Sequence, residues 1–210
     1  MSMSQPPRDG CPVMRLEAAQ QAALEEAYAK PPRAYHHFGH VGDVLRHYHE
    51  VEAGPGWEQP REVWLAVMYH DAVYEPGNRD NEARSAALAL EHIGRWMPDA
   101  GLDAARVAAL IELTARHGTL AQGEVDRDAA LFLDCDMAIL GAGSAAFDAY
   151  DRAIAAEYRG HVPGWLFRLN RRRFLKALLQ RERIYLSDFF HARLDAQARR
   201  NLRRAITEKR

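Results

Sequence analysis

The sequence has few cysteines and no long apolar run, and both features narrow the class of protein. Its 210 residues include two cysteines, Cys11 and Cys135, too few for a disulfide framework. The longest apolar run, Val63 to Tyr69, is far shorter than the roughly 20 residues that span a bilayer. The first ten residues have neither a basic start nor an apolar stretch and do not resemble a secretory signal. We therefore expect a cytoplasmic protein with no membrane partner.

Patterns typical of β-strands are also scarce, because glycine and proline divide the chain into helix-length pieces. Helices are predicted over about 14–30, 35–53, 60–74, 80–97, 103–117, 126–140, 144–160, 163–185 and 189–210. With 48% hydrophobic and 27% charged residues, the composition suits a globular core. The predicted fold class is all-α, a single-domain helical bundle of about eight or nine helices. Residues 1–12 are predicted to be a flexible tail, 13–210 the domain, and 163–210 its two basic last helices.

The net charge of −1 is distributed unevenly. The segment from Arg152 to Arg210 contains 16 Lys/Arg and 5 Asp/Glu, whereas the preceding residues contain 12 and 24. A basic end suits an anionic substrate or nucleic acid, but attraction between the two parts across the fold is the preferred interpretation. Arg171, Arg172 and Arg173 are interpreted as a solvated face, because no aromatic ladder for base stacking accompanies them. Nucleic acid is therefore not the expected partner.

Three apolar helical segments carry imidazole or carboxylate groups where hydrophobic side chains would be expected. His70-Asp71 follows VWLAVMY, two aspartates interrupt LFLDCDMAIL, and His36 and His40 are spaced to share one helical face. Burying such groups without partners costs several kcal/mol each. A divalent cation makes their burial favourable, because imidazole and carboxylate become ligands. For the doublet alone, an ion pair at a helix end is the simpler alternative.

The order of these residues resembles the His…His-Asp…Asp signature of the HD superfamily of metal-dependent phosphohydrolases. The chain is most similar to a subfamily of predicted HD phosphohydrolases with four further motifs. These are R-x-Y-H-x-x-x-H at Arg33–His40, HD-x-V-Y at His70–Tyr74, D-N-E-x-x-S-A at Asp80–Ala86, and L-D-x-D at Leu133–Asp136. The resemblance covers roughly residues 14–205 and implies a helical domain of the HD type. It implies that the metal ligands are His40, His70, Asp71 and Asp136.

A phosphatase or phosphodiesterase acting on a nucleotide or other small phosphorylated metabolite is the implied function. A divalent ion (Mn, Mg, Co, Ni, Fe or Zn) would lower the pKa of a bound water from about 15.7 towards neutrality. Asp71 is expected to serve the reaction as well as the metal, and Glu82 is predicted to handle protons. Arg33, His36 and His117 are predicted to contact the substrate, whose phosphate needs positive groups around it.

Several alternatives remain open from the sequence. We predict one metal per chain, but His92 and His117 lie in the interval from which some HD enzymes take ligands for a second metal. Such a site could hold two irons and perform oxidative chemistry. The chain could also be a non-catalytic metal- or nucleotide-binding sensor, or a nucleic-acid-binding protein that uses its basic C-terminal third. A homo-oligomer is compatible with the sequence.

Overall fold

The computed structural model describes residues 14–116 and 118–207, which form nine α-helices and no strand beyond an isolated bridge between Arg159 and Val162. The helices are α1 (Ala18–Ala29), α2 (Phe38–Ala53), α3 (Pro60–Tyr69), α4 (Asn81–Trp96), α5 (Ala104–Leu113), α6 (Arg127–Met137), α7 (Ser144–Glu157), α8 (Gly164–Gln180) and α9 (Asp188–Thr207). Short 3₁₀ turns, Thr114–Arg116 and Ala138–Gly141, extend α5 and α6. The predicted all-α bundle is confirmed, and the predicted tail lies outside the described residues.

Helix α3 lies at the centre of the bundle and fixes the place of the site. Val63, Leu65, Ala66, Val67 and Tyr69 have no exposed surface, and the helix packs against α2, α4, α5 and α6. Burying each valine or leucine side chain contributes about 1.5–3 kcal/mol. The end of α3 is therefore held inside the core, and the chain leaves it beside the first turn of α2.

Aspartate side chains cap two of the helices. The Asp103 side chain accepts a hydrogen bond from the Arg106 N–H, and Asp126 accepts one from the Ala129 N–H. Each carboxylate thereby satisfies an N–H that has no partner within the helix. Asp80 precedes α4 as predicted, but its side chain forms no capping hydrogen bond.

Two predicted helix boundaries near the site are wrong. Helix α2 begins at Phe38 rather than Tyr35, so His36 precedes it and does not share a helical face with His40. The His37 side chain caps α2 by accepting a hydrogen bond from the Gly39 N–H. As an N-cap residue, His37 has an extended backbone conformation, so the helix does not continue towards Tyr35. Helix α3 ends at Tyr69 instead of continuing through the HD-x-V-Y motif.

The arginines of α8 do not form one solvated face. The Arg171 side chain is only 14% exposed, lies 3.1 Å from Asp151 Oδ1 and covers the Tyr150 ring at 5.0 Å. Arg172 and Arg173 are exposed. The predicted solvated face is therefore wrong for Arg171, which helps to hold α8 against α7.

Within the described part of the chain, no single helix is long and apolar enough to cross a bilayer. One sharply bent pair, 127–141 with 144–157, meets the length and composition requirements only when taken together. Its first helix contains Cys135, a buried free thiol.

Candidate metal centre

Four side chains from three parts of the chain converge beside the end of α3. His40 lies in the first turn of α2, His70 and Asp71 follow α3 directly, and Asp136 lies near the end of α6. The imidazoles are buried, whereas the side chains of Asp71 and Asp136 are 16% and 12% exposed. The cluster thus reaches solvent through its two carboxylates.

The distances among these side chains fit a shared ion. The two Nε2 atoms of His40 and His70 are 3.2 Å apart, and Asp136 Oδ1 lies 2.9 and 3.6 Å from them. Asp71 Oδ2 lies 3.2 Å from His70 Nε2 and 3.6 Å from His40 Nε2. Ligand atoms about 2.1 Å from one ion, at tetrahedral or octahedral angles, are about 3.0–3.4 Å apart. The group of His40, His70 and Asp71 could therefore hold a metal ion. Asp136 Oδ1 lies within a few tenths of an ångström of the same range.

The backbone at the end of α3 orients His70. Its Nδ1 lies 2.8 Å from the carbonyl oxygen of Val67, one of the carbonyls left without a helical partner at a helix C-terminus. The nearby Asp71 N–H, which would bond this carbonyl in a longer helix, donates instead to the Tyr28 hydroxyl. With Nδ1–H donating to Val67, Nε2 is the ring nitrogen of His70 that faces the cluster, and it is the atom that a metal would bind after displacing its proton.

The electrostatics of the cluster favour a protonated His70 imidazole and an ionised Asp71 carboxylate. Burial opposes the protonated form of His70, but the charges and hydrogen bonds of Asp71 and Asp136 outweigh it and raise the pKa of His70 well above its usual value. Burial likewise opposes ionisation of Asp71, but His70 and His36 lower the pKa of this carboxyl. The Asp71 carboxyl is thus held as an anion, the form that binds a cation.

Arg33 is surrounded by backbone carbonyls. Its Nη1 donates to the oxygens of His36 and Asp71, and its Nη2 donates to those of Ala27 and Ala72, all within 3.0 Å. With these donors engaged, the contacts of Arg33 fit a role in positioning the turn after α3 rather than the predicted substrate contact.

The D-N-E-x-x-S-A motif holds the loop that follows the His-Asp doublet. The Asn81 side chain accepts the Glu75 N–H and donates to the Glu75 carbonyl, each at 3.0 Å. The Ser85 hydroxyl likewise accepts the Val73 N–H and donates to the Val73 carbonyl. Glu82 is half-buried and forms no hydrogen bond or ion pair within the described ranges, so its predicted proton-handling role has no contact to support it.

His36 lies beside the cluster, but other contacts hold it there than the helical face that it was predicted to share with His40. Its ring is 6.0 Å from that of His40, and it stacks on Tyr74 at 4.0 Å. Its Nδ1 lies 2.6 Å from Glu157 Oε2, while Glu157 Oε1 accepts the N–H groups of Tyr35 and His36. Burial alone would raise the pKa of Glu157, but these hydrogen bonds and the charge of His36 lower it.

Glu157 was not singled out from the sequence. The available signal was a carboxylate three residues after the buried Ile154, on the face that α7 turns to the core.

Two further histidines, His92 and His117, were considered as ligands of a second metal. His92 is buried and its Nδ1 lies 3.0 Å from the Tyr69 hydroxyl, which also accepts a hydrogen bond from Gln20. It therefore belongs to a polar network in the core and not to a second metal site. His117 lies outside the described residues.

The L-D-x-D stretch contains two carboxylates with different surroundings. Asp134 accepts hydrogen bonds from the N–H groups of Leu186 and Ser187 and from the Ser187 hydroxyl. It thereby fixes the chain just before α9, whereas Asp136 faces the two histidines.

In comparisons with protein-family models, curated proteins and solved structures, no match to this chain is found.

Proposed function

We propose that the chain is a metal-dependent phosphohydrolase that cleaves a phosphate ester of a nucleotide or another small metabolite. The observation that carries this proposal is the convergence of His40, His70, Asp71 and Asp136 within 2.9–3.6 Å, with only the carboxylates reaching solvent. Two neutral and two anionic ligands on one side of an ion leave coordination positions for water and substrate on the other.

A bound divalent ion would supply a water of lowered pKa and would polarise a phosphoryl oxygen. The residues of the chain then have to bind and orient the phosphate. Asp71, the more exposed carboxylate of the pair, is the group best placed to accept a proton from water on that side. His70 keeps its orientation through Val67, so the ligand set is preorganised before substrate binds.

His36 is the side chain that we assign to the substrate. Glu157 engages its Nδ1 and fixes the ring, which leaves Nε2 for an oxygen of the phosphate. Tyr74 stacks on the same ring and restricts its rotation. A positioned imidazole beside the metal supplies the hydrogen bond that phosphoryl transfer needs at a non-bridging or leaving oxygen.

The test combines metal analysis with a phosphatase screen. The purified protein is loaded with Mn²⁺, Mg²⁺, Co²⁺, Ni²⁺, Fe²⁺ or Zn²⁺ and assayed on p-nitrophenyl phosphate, bis(p-nitrophenyl) phosphate and nucleotides. We expect one metal per chain and turnover with at least one ester. Asp71→Ala should lose both metal and turnover while its helical circular dichroism is retained. Asp43→Ala, which changes an exposed aspartate of α2, is the matched control and should keep both.

Two results would contradict the proposal. One is full turnover in Asp71→Ala, which would mean that the cluster does not catalyse. The other is stoichiometric metal without hydrolysis of any ester in the screen, which would favour a sensor.

A further inference from the structure

A second recess in the protein is lined by arginines rather than by carboxylates. Helices α7 and α8 and the end of α9 enclose an open cavity of about 960 Å³, which we call the basic cavity. Its walls include five arginines and one aspartate. This volume lies in the range of pockets that bind small molecules, roughly 300–1,000 Å³.

Four of these arginines, Arg152, Arg159, Arg168 and Arg172, are exposed at the rim. None of the four forms an ion pair with a carboxylate in the part of the chain that the structure describes. The fifth, Arg171, lies 3.1 Å from Asp151, the aspartate of the cavity wall. The rim therefore has an excess of positive charge.

The arrangement of the rim arginines is unfavourable without an anion. Arg168 and Arg172 are four residues apart on α8, where two like charges destabilise a helix by a few tenths of a kcal/mol. Arg152 and Arg159 approach the same recess from α7 and the turn that follows it. Guanidinium groups bind phosphate oxygens in pairs of parallel hydrogen bonds, so an anion with several phosphates would offset this repulsion.

The interior of the basic cavity is apolar and partly aromatic. Tyr158 and Phe167 are half-buried in its wall with ring centroids 5.3 Å apart, and Leu175 and Ile206 also line it. Stacking of a nucleobase on an aromatic side chain contributes about 1–3 kcal/mol. A ligand that matches both surfaces has a planar apolar body and a polyphosphate.

The basic cavity adjoins the metal centre through two neighbouring residues. Tyr158 lines the cavity and lies close to Tyr74, which stacks on His36. The preceding residue, Glu157, holds the same imidazole by its Nδ1. The cavity is nevertheless lined by none of the four clustered residues of the metal centre.

We infer that the basic cavity is a second binding site, separate from the metal centre, for a nucleoside di- or triphosphate. The rim arginines bind the phosphates and the aromatic wall contacts the base. This inference does not depend on the proposed hydrolase activity, because it concerns binding at other residues.

The experiment measures ATP binding by isothermal titration calorimetry in chelator at about 0.1 M salt. A full-length His70→Ala/Asp71→Ala variant is used beside the wild type, so that the metal centre cannot bind the phosphates. We expect both proteins to bind ATP with similar affinity, adenosine to show no binding, and tripolyphosphate to bind more weakly than ATP. Arg168→Ala and Arg172→Ala should each weaken ATP binding about tenfold, the size of a lost charge-assisted contact.

Arg173→Ala is the matched control, because it removes an exposed arginine of the same helix that does not line the basic cavity. Its ATP affinity should equal that of the wild type. Absence of ATP binding, or equal weakening by all three arginine variants, would overturn the inference. Tighter binding of an oligothymidylate than of ATP, with dependence on Arg173, would instead identify a nucleic-acid surface.

Discussion

Two aspartates two residues apart in α6 have separate tasks. Successive α-helical residues are rotated by about 100°, so Asp134 and Asp136 point in directions about 200° apart. Asp134 accepts three hydrogen bonds from Leu186 and Ser187, and Asp136 Oδ1 lies 2.9 Å from His40 Nε2. Helical pattern alone does not distinguish the two carboxylates. The resemblance to HD proteins implied Asp136, and the packing of α6 turns that residue towards the histidines.

We expect Asp136→Asn to lower metal affinity and Asp134→Asn to lower the stability of the fold. Asp136→Asn replaces an anionic ligand by a neutral one and should lower metal affinity at least about tenfold while the fold is retained. Asp134→Asn places amide hydrogens against the Ser187 donors and should lower the free energy of unfolding by about 1–3 kcal/mol with metal binding retained. Urea unfolding and metal titration of both variants measure the two effects. The same loss of metal in both variants would contradict this division.

Individual residues also show where sequence reasoning reached its limit. The resemblance to HD proteins identified His40, His70, Asp71 and Asp136, and the structure places these four side chains together. The surroundings of His36 were not predictable, because its partner Glu157 lies 121 residues away in the sequence. Helical spacing alone favoured a shared face with His40, and long-range hydrogen bonds to the backbone overrode it.

At the scale of helices, Arg33 connects three parts of the chain that meet beside the candidate metal centre. Its donors reach carbonyls at the end of α1, in the segment before α2 and in the turn after α3. A carbonyl that is buried without a hydrogen-bond donor costs about 1–3 kcal/mol of stability. By donating to several such carbonyls, this single side chain stabilises a helix end and two adjoining segments at once. The sequence placed Arg33 beside His40 but did not show that backbone carbonyls surround it.

Arg33→Lys keeps the positive charge but removes the planar group with its separate donors. One ammonium cannot reach all of these carbonyls, so we expect the free energy of unfolding to fall by at least about 2–3 kcal/mol. Metal affinity should fall as well, because Asp71 lies in the turn that Arg33 holds. Arg46→Lys, on the exposed face of α2, is the control and should change neither quantity. Wild-type stability in Arg33→Lys, together with reduced turnover, would support a substrate contact instead.

Helix-breaking and capping residues predicted the positions of most helices, but they did not predict the helix ends near the site. Glycine and proline located most of the helices, and Asp103 marked the start of α5, because these signals act within a few residues. The His-Asp doublet was predicted inside a longer α3. The structure ends this helix one residue before the doublet, where the Tyr28 hydroxyl from α1 accepts the N–H of Asp71. A partner from another helix is not visible in local sequence.

At the scale of the whole molecule, we expect the core and the candidate metal centre to contribute to stability in different ways. The core around α3 is apolar and continuous, and it packs the helices without help from an ion. Within the cluster, His40 and His70 also contact the two carboxylates directly. We therefore expect the metal-free protein to keep its helices and to be less stable than the metal-bound one.

Removal of metal should lower the melting temperature without loss of helical content. A ligand at 100 times its Kd stabilises the folded state by about 2.7 kcal/mol. For a chain of this size, about 1 kcal/mol corresponds to roughly 2–4 °C, so chelation should lower Tm by about 5–10 °C. Thermal melts followed by circular dichroism, with metal and with chelator, measure this shift. Asp136→Asn should show a clearly smaller shift at the same metal concentration, about half that of the wild type for a tenfold loss of affinity. Asp134→Asn should melt lower than the wild type but retain the full shift. Loss of helical signal in chelator at 25 °C would mean that the ion holds the bundle together, against the expectation from its apolar core.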